Sequence, residues 1–532
     1  MPSQPPRARL CPLLFAAALA CTSTNTDPGE TLVEPEGGAD AGSDGPSCAG
    51  PEAFDAAWTR THRDALREAF AEIPGEWPAT TVDTLEARAT ATQPWRRAYL
   101  DACARADALA STCLDHQLWR FDALVGLLRE RPDQAASLWR AVDSSFGADA
   151  LARCTSGAIE TSVSPDAAVV VAVHRARLLT EAGRHGEAVE AWAALRSTHA
   201  AALETAPESA RTALELHALD ARVRSAELDS NKAAPLAAEL APLRERALAT
   251  QSPQAHAALA RVELELALRS SAAGQAQAAA ALEAHLARTR AGEDPRGQAT
   301  ALVLLARLRA ATGEHQAAAP LFGEAIALGA RAGKGEGEDP RTAEIQHLLA
   351  RSLLALGNTQ GALDLLTQAR DSFATALGPD HPATLEVVLD IGRLFMAADR
   401  PAEAQYAFLD LLEIHDTLRG PKHPATAKVK LELGDALRAM DEHANALQLY
   451  REALTPLTQA LGADHPEVLR ALVHLARTEV ALGELESAAS HCATSQGLAK
   501  SLDADDPLVA EARACGEELA RAKGGNRRKP SR

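Results

Sequence analysis

Aromatic side chains are scarce in this chain, at 3% of 532 residues, and β-branched residues never alternate with polar ones over a strand's length. Together with a high alanine content, these absences exclude a β-sandwich or barrel core and leave helix as the favoured state. Long apolar runs are also missing: beyond the first 21 residues no stretch could cross a bilayer as a helix. Basic charge is in deficit, with a net charge of −18. A nucleic-acid-binding face needs a concentrated basic patch, so that class is excluded. The sole basic cluster, Arg527, Arg528, Lys529 and Arg532, reads as a solvated terminus.

Enzymatic motifs are absent too. The chain has no H-E-x-x-H, no P-loop, no G-x-S-x-G and no dinucleotide fingerprint. His62-Arg63-Asp64 spells a kinase catalytic triplet, yet Ala69 stands where the metal-binding Asn would follow, and no Gly-rich loop accompanies it. The triplet reads as a coincidence on a helix. With no C-x-x-C and no neighbouring His pair, no metal or other cofactor is expected.

What the chain does have is a period. Six times a turn residue is followed five positions later by Ala: Gly183/Ala188, Gly313/Ala318, Gly357/Ala362, Asp399/Ala404, Asp441/Ala446 and Gly483/Ala488, the last four copies spaced by 42 residues. Seven residues before each turn stands a second small residue, in order Ala176, Ala306, Ala350, Gly392, Gly434 and Ala476. Two small positions flanking one turn suit an antiparallel helix pair whose backbones cross closely. Four residues after the second Ala a bulky apolar side chain, Trp192, Phe322, Leu366, Phe408 or Tyr450, fills the wedge toward the next pair. Units open on proline in a repeated context: GEDPR at Pro295 and Pro340, GPDHP at Pro382, GPKHP at Pro424, GADHP at Pro466. Proline suits a helix's first turn, and the preceding Gly ends the helix before it. His381, His423 and His465 are expected to cap the helices that begin at the next proline.

This pattern resembles the tetratricopeptide repeat (TPR), and the G-x-D-H-P-x-T opening with its 42-residue period resembles the kinesin-light-chain subtype. The resemblance runs from about residue 164 to 522 and implies an all-α fold: a right-handed solenoid of about seven or eight helix pairs, preceded by a small helical domain. Between residues 200 and 289 the pattern is degenerate, with Gly274/Ala279 read as one unit and a weaker one near Ala233. The solenoid implies a binding surface for a partner protein or peptide and no catalysis.

One residue after each small position of the first helix comes Arg177, Arg307, Arg351, Arg393 or Arg477, with Asp435 interrupting the row. Equivalent positions of stacked repeats line one surface, and in TPR proteins this position faces the concave groove. A ladder of guanidiniums there suits carboxylates or an acidic peptide. Lys428, Arg438 and Arg470 are expected near the same groove.

The ends differ from the array. Arg7 and Arg9 precede a short apolar run, Leu10 to Ala20, which ends at Cys21. This describes an export signal. It resembles a bacterial lipoprotein signal with its lipobox, although Ala18 stands where Leu is usual, and the resemblance implies lipidation of Cys21 and an outer-membrane lipoprotein. Residues 22–47, poor in bulky apolar side chains, read as a flexible tether, and 523–532 as a basic tail. Six cysteines remain after export: Cys48, Cys103, Cys113, Cys154, Cys492 and Cys515. An even number in an oxidising compartment suggests disulfides. Position in the chain favours Cys492 with Cys515, Cys103 with Cys113, and Cys48 with Cys154.

Residues 48–160 hold five of the six tryptophans and form a separate helical module. Its landmarks, Cys48 before Trp58, Trp95 with Tyr99, Cys103, Cys113-Leu114, a Leu-rich helix from Leu118 and then Cys154, resemble the extracytoplasmic sensor half of bacterial TPR-containing Ser/Thr protein kinases. That resemblance implies a second reading: a regulatory sensor that lacks its own kinase and pairs with intact relatives.

Overall fold

The computed structural model describes residues 52, 54–55, 58–90, 92–105, 107–143, 154, 166–225, 230–292, 294–332, 339–502 and 506–526. All of them belong to one unit, residues 46–532. Cys21, Cys48, the tether and the residues of the basic tail beyond 526 lie outside the described residues.

Among the described residues the fold is all-α. Five helices come first: α1 (Arg60–Ala71), α2 (Trp77–Thr90), α3 (Gln93–Ala104), α4 (Ala108–Glu130) and the short α5 (Trp139–Asp143). The array follows as α6 (Ala167–Glu181) with α7 (His185–Thr198), a linking α8 (Ala200–Thr205), α9 (Glu208–Ser225) with α10 (Ser230–Ala249), and α11 (Pro253–Ala267) with α12 (Ala272–Ala291). Next come α13 (Pro295–Ala311) with α14 (His315–Ala332), α15 (Pro340–Ala355) with α16 (Thr359–Leu377), and α17 (Pro382–Ala397) with α18 (Pro401–Arg419). The array ends with α19 (Pro424–Ala439) and α20 (His443–Leu461), α21 (Pro466–Leu482) and α22 (Leu485–Leu498), and a closing α23 (Pro507–Asn526). The His62-Arg63-Asp64 triplet sits inside α1.

All six turn residues read from the sequence are left-handed, with φ from 55° at Asp399 to 81° at Gly313 and Gly483. After each, the next N–H reaches the carbonyl five residues back, as Glu314 to Arg309 (2.8 Å), Arg400 to Phe395 (2.9 Å) and Glu442 to Leu437 (2.9 Å). This closure stops the first helix of a pair and satisfies its last carbonyls. Asp399 and Asp441 do the same work as glycine against a Cβ penalty. Asp399→Gly and Asp441→Gly are therefore expected to raise stability by about 0.5–1 kcal/mol each, measurable as a shift in the denaturant midpoint.

The proline-led openings are held by their histidines. The Nδ1 of His381, His423 and His465 accepts the N–H of Ala383, Ala425 and Glu467, each at 3.1 Å. Burial pushes His381 down to about 4, so its ring stays neutral and able to accept. The threonine of G-x-D-H-P-x-T ties the loop back: Thr384 donates to the Gly378 carbonyl (2.8 Å) and Thr426 to that of Gly420 (2.9 Å).

The crossing positions are as small as the sequence requires. Ala176, Ala306, Ala350 and Ala476 are fully buried, as are their partners Ala188, Ala318, Ala362, Ala404, Ala446 and Ala488. A Cβ on Gly392 would stand 2.3 Å from the Phe408 ring, and one on Gly434 2.6 Å from Tyr450.

Between residues 200 and 289 the pattern departs from its reading. Gly274 lies within α12 rather than at its turn, and the buried residues of that helix are Ala278, Leu282, His285 and Leu286, not Ala279. The α11–α12 turn has no left-handed residue. There Ser270 bonds the Leu266 carbonyl (2.6 Å) and Arg269 that of Glu265 (2.7 Å).

Among the described residues two disulfides join cysteine pairs, Cys492–Cys515, as position suggested, and Cys113–Cys154. The second corrects the pairings of Cys103 with Cys113 and of Cys48 with Cys154. It runs from α4 to the chain just before the array; Cys103 is itself disulfide-bonded. Phe54, Trp58, Leu114 and Phe121 share one core with Trp192 and Leu195 of the first helix pair.

The first five helices also dock far along the array. The Asp380 carboxylate accepts the N–H groups of Glu76 (2.5 Å) and Trp77 (3.0 Å), capping α2 across some 300 residues of sequence. Trp77 meets the His381 ring edge-on at 5.5 Å, and Trp139 of α5 meets Phe373 of α16 at 6.0 Å. Arg140 forms a bidentate ion pair with Glu344, its Nε at 2.9 Å.

Candidate functional site

The first helices of successive pairs present two columns of equivalent positions. One residue after the small position come Arg307, Arg351, Arg393, Asp435 and Arg477; two residues before it come Leu304, Leu348, Asp390, Glu432 and His474. From Arg351 to Asp435 the structure joins each member of the first column to the next repeat's member of the second. Arg351 on α15 approaches Asp390 on α17 at 3.7 Å, and Arg393 on α17 binds Glu432 on α19 at 2.8 Å. Asp435 on α19 meets His474 Nδ1 on α21 at 2.5 Å. The apparent interruption at Asp435 is thus a sign exchange, with the cation moved to the following helix. Arg477 extends the series to Glu518 on the closing helix (2.9 Å).

Further bonds tie the columns together. His347 Nε2 lies 2.8 Å from Asp390, Arg393 also reaches Asp390 at 3.3 Å, and Arg470 reaches Glu432 at 3.0 Å and Glu467 at 3.2 Å. Tyr450 donates its hydroxyl to Asp435 at 2.6 Å. Burial pushes Asp390 and Asp435 up, but the hydrogen bonds and charges of His347 and His474, together with the guanidiniums of Arg351 and Arg393 for the first and Tyr450 and Arg470 for the second, outweigh it and hold both carboxyls below the usual aspartate range.

The remaining arginines sit differently. Arg307 forms no ion pair among the described residues, and the second-column residue of the next repeat is Leu348 rather than an acid. Arg177 lies beside His174 and His217. Burial, reinforced by the guanidiniums of Arg120 and Arg177 for the first and of Arg177 and Arg261 for the second, pushes both imidazoles well below the usual histidine value. Of the three further cations expected near the groove, Arg470 joins the network and Arg438 lies against Tyr450 and Asp435. Lys428 forms no ion pair among the described residues. Sequence reasoning missed the acidic partners, although the 42-residue step from Asp390 to Glu432 to His474 marks them.

Beside Arg351 the array meets the docked amino-terminal helices. A cavity of about 370 Å³ opens there, walled by Trp139 and Phe373 and bordered by Arg351, Glu386 and Glu181. Among the described residues no group of His, Cys, Asp or Glu could hold a metal ion, and no helix is long and apolar enough to cross a membrane.

The family model described as tetratricopeptide repeat matches residues 341–417, 387–455 and 426–501, so this part of the chain carries TPRs. Among solved structures, a single-residue variant of nearly identical TPR-like repeats from Podosopora anserina, described as those of a kinesin light chain, is 26% identical, covering 41% of this chain and 97% of that one, with a TM-score of 0.33. BtubC (BKLC) from P. vanneervenii is 17% identical over 48% of this chain and 94% of that one, TM-score 0.34. PilF of Pseudomonas aeruginosa is 20% identical over 51% and 98%, TM-score 0.34. No curated protein matches the chain.

Proposed function

We propose that this protein is an exported, lipid-anchored, non-enzymatic scaffold or sensor that holds a partner protein or peptide against the groove face of its repeats. The observation that carries the reading is the continuous row of charged side chains from Arg351 to Glu518, formed by successive first helices and the closing helix. Such a surface recognises an extended ligand by matching charge at fixed steps. Because Arg393 and Arg477 are engaged by Glu432 and Glu518, the part of the row suited to an acidic segment narrows to Arg307 and Arg351. Export is supported by the disulfides, Cys113–Cys154 and Cys492–Cys515 among them, which persist in oxidising compartments, and anchoring by the lipobox-like residues before Cys21.

Cross-linking in intact cells followed by mass spectrometry identifies the partner. Arg307→Glu with Arg351→Glu is expected to lower its recovery about tenfold, the loss of one charge-assisted contact or more, while Arg393→Glu with Arg477→Glu leaves more of it. Unchanged recovery with the first pair retires the acidic-segment reading. Cys21→Ala is expected to move the protein from the membrane fraction to the soluble one. Recovery of a kinase ectodomain in place of an unrelated protein would favour the detached-sensor reading.

A further inference from the structure

We infer that the junction between the amino-terminal helices and the α15–α16 pair is a binding site for a small zwitterionic ligand, an amino acid or dipeptide with an apolar side chain. The cavity there encloses about 370 Å³, at the small end of the roughly 300–1,000 Å³ typical of small-molecule sites. Its walls come from two parts of the chain. Trp139 arrives on α5, while Leu348, Phe373, Arg351 and Glu386 belong to the array. The latch formed by Asp380 on the start of α2 and the Arg140–Glu344 pair hold the parts together.

The charges at the rim are the reason for the ligand class. Arg140 and Glu344 neutralise each other, but Arg351 does not have a carboxylate to itself. Its side chain is 60% exposed, and its nearest acid, Asp390 at 3.7 Å, is already bound by His347 at 2.8 Å and by Arg393 at 3.3 Å. Glu181 and Glu386, on the same cavity, form no ion pair among the described residues. One guanidinium with donors to spare and two carboxylates that form no ion pair among the described residues, of which Glu181 feels only the more distant charge of Arg224, on a wall of tryptophan, phenylalanine and leucine, match a ligand that carries a carboxylate, an ammonium group and an apolar body. A ligand of one sign would leave the other rim charges unanswered.

The inference shares Arg351 with the groove reading but stands without it, since Arg307 and Arg393 do not border the cavity. Isothermal titration of the full chain decides it, with phenylalanine and glycyl-phenylalanine as zwitterions and phenylacetate and phenethylamine as their single-charge analogues. At least one zwitterion is expected to bind about tenfold tighter than both analogues. Arg351→Ala and Glu386→Gln, both at exposed positions, are each expected to weaken it about tenfold. Asp380→Ala, which touches no ligand, should weaken it as well by loosening the latch. Equal binding of zwitterions and analogues, affinity unchanged by both Arg351→Ala and Glu386→Gln, or no heat from any of the four at millimolar concentration overturns the proposal. Loss of zwitterion binding in Arg307→Glu with Arg351 intact would also overturn it.

Discussion

Gly392→Ala is expected to destabilise the array by about 1–3 kcal/mol, and Phe408→Leu in the same chain to return most of that loss. The added methyl would lie 2.3 Å from the edge of a fully buried Phe408 ring. That ring cannot retreat freely, because Ala404 and the next repeat's Ala427 and Leu431 are buried in one cluster with it. The preceding repeat has already solved the same crossing with a larger small residue and a smaller wedge, Ala350 with Leu366, both buried. The double variant copies that solution. Phe408→Leu alone removes apolar contact and leaves a void, so it too lowers stability. Denaturant titration of the four proteins gives the coupling, which should be favourable and exceed about 0.5 kcal/mol. If the two single losses simply add, glycine is not at 392 to make room for the ring.

The same crossing shows how far the fold was legible. Small residues seven before and five after each turn are forced by close backbones, and left-handed closure needs Gly or Asp, so both leave marks in a single sequence. In the pairs from Glu208 to Ala291 those marks fade. The α11–α12 turn is built from Arg269 and Ser270 instead of a left-handed residue, and α10 carries Pro235 and Pro242 inside the helix. The cysteine pairing was legible for Cys492 and Cys515, which sit on consecutive helices, and not for Cys113, whose partner lies 41 residues on. The docking of Trp77 and Trp139 near Asp380 and Phe373 left no local trace, since nothing in the repeat spacing says which loop meets a distant helix. In the charged row, the arginines were visible because they share one type. Their partners were hidden because the second column changes from Leu to Asp, Glu and His, and only the contacts show that Asp435 and His474 exchange signs.

That exchange carries the largest expected loss, about 3–5 kcal/mol for Asp435→Ala, as for other buried pairs broken on one side. Asp435 and His474 are 15% and 11% exposed, and removing the carboxylate leaves the imidazolium Nδ1–H and the Tyr450 hydroxyl without their acceptor. Burial alone would push His474 below its ordinary value of 6.5, but hydrogen bonds to Asp435 and Glu511 and the charge of Asp435 outweigh burial and the nearby Arg438, so the imidazole is raised. A base raised by folding contributes stability that is complete below 6.5 and lost as pH climbs through its folded value. Asp435, lowered from 3.8, contributes above 3.8 and loses its share as pH falls through its own folded value. The pair is therefore strongest between those limits, and the gap between the native chain and Asp435→Ala should be wider at about pH 6 than at about pH 9. Asp435→Asn keeps an acceptor for Tyr450 and should lose less, but with the same sign of pH dependence. A gap that stays constant across that range would mean that His474 is held neutral, and that the column continues by shape rather than by charge.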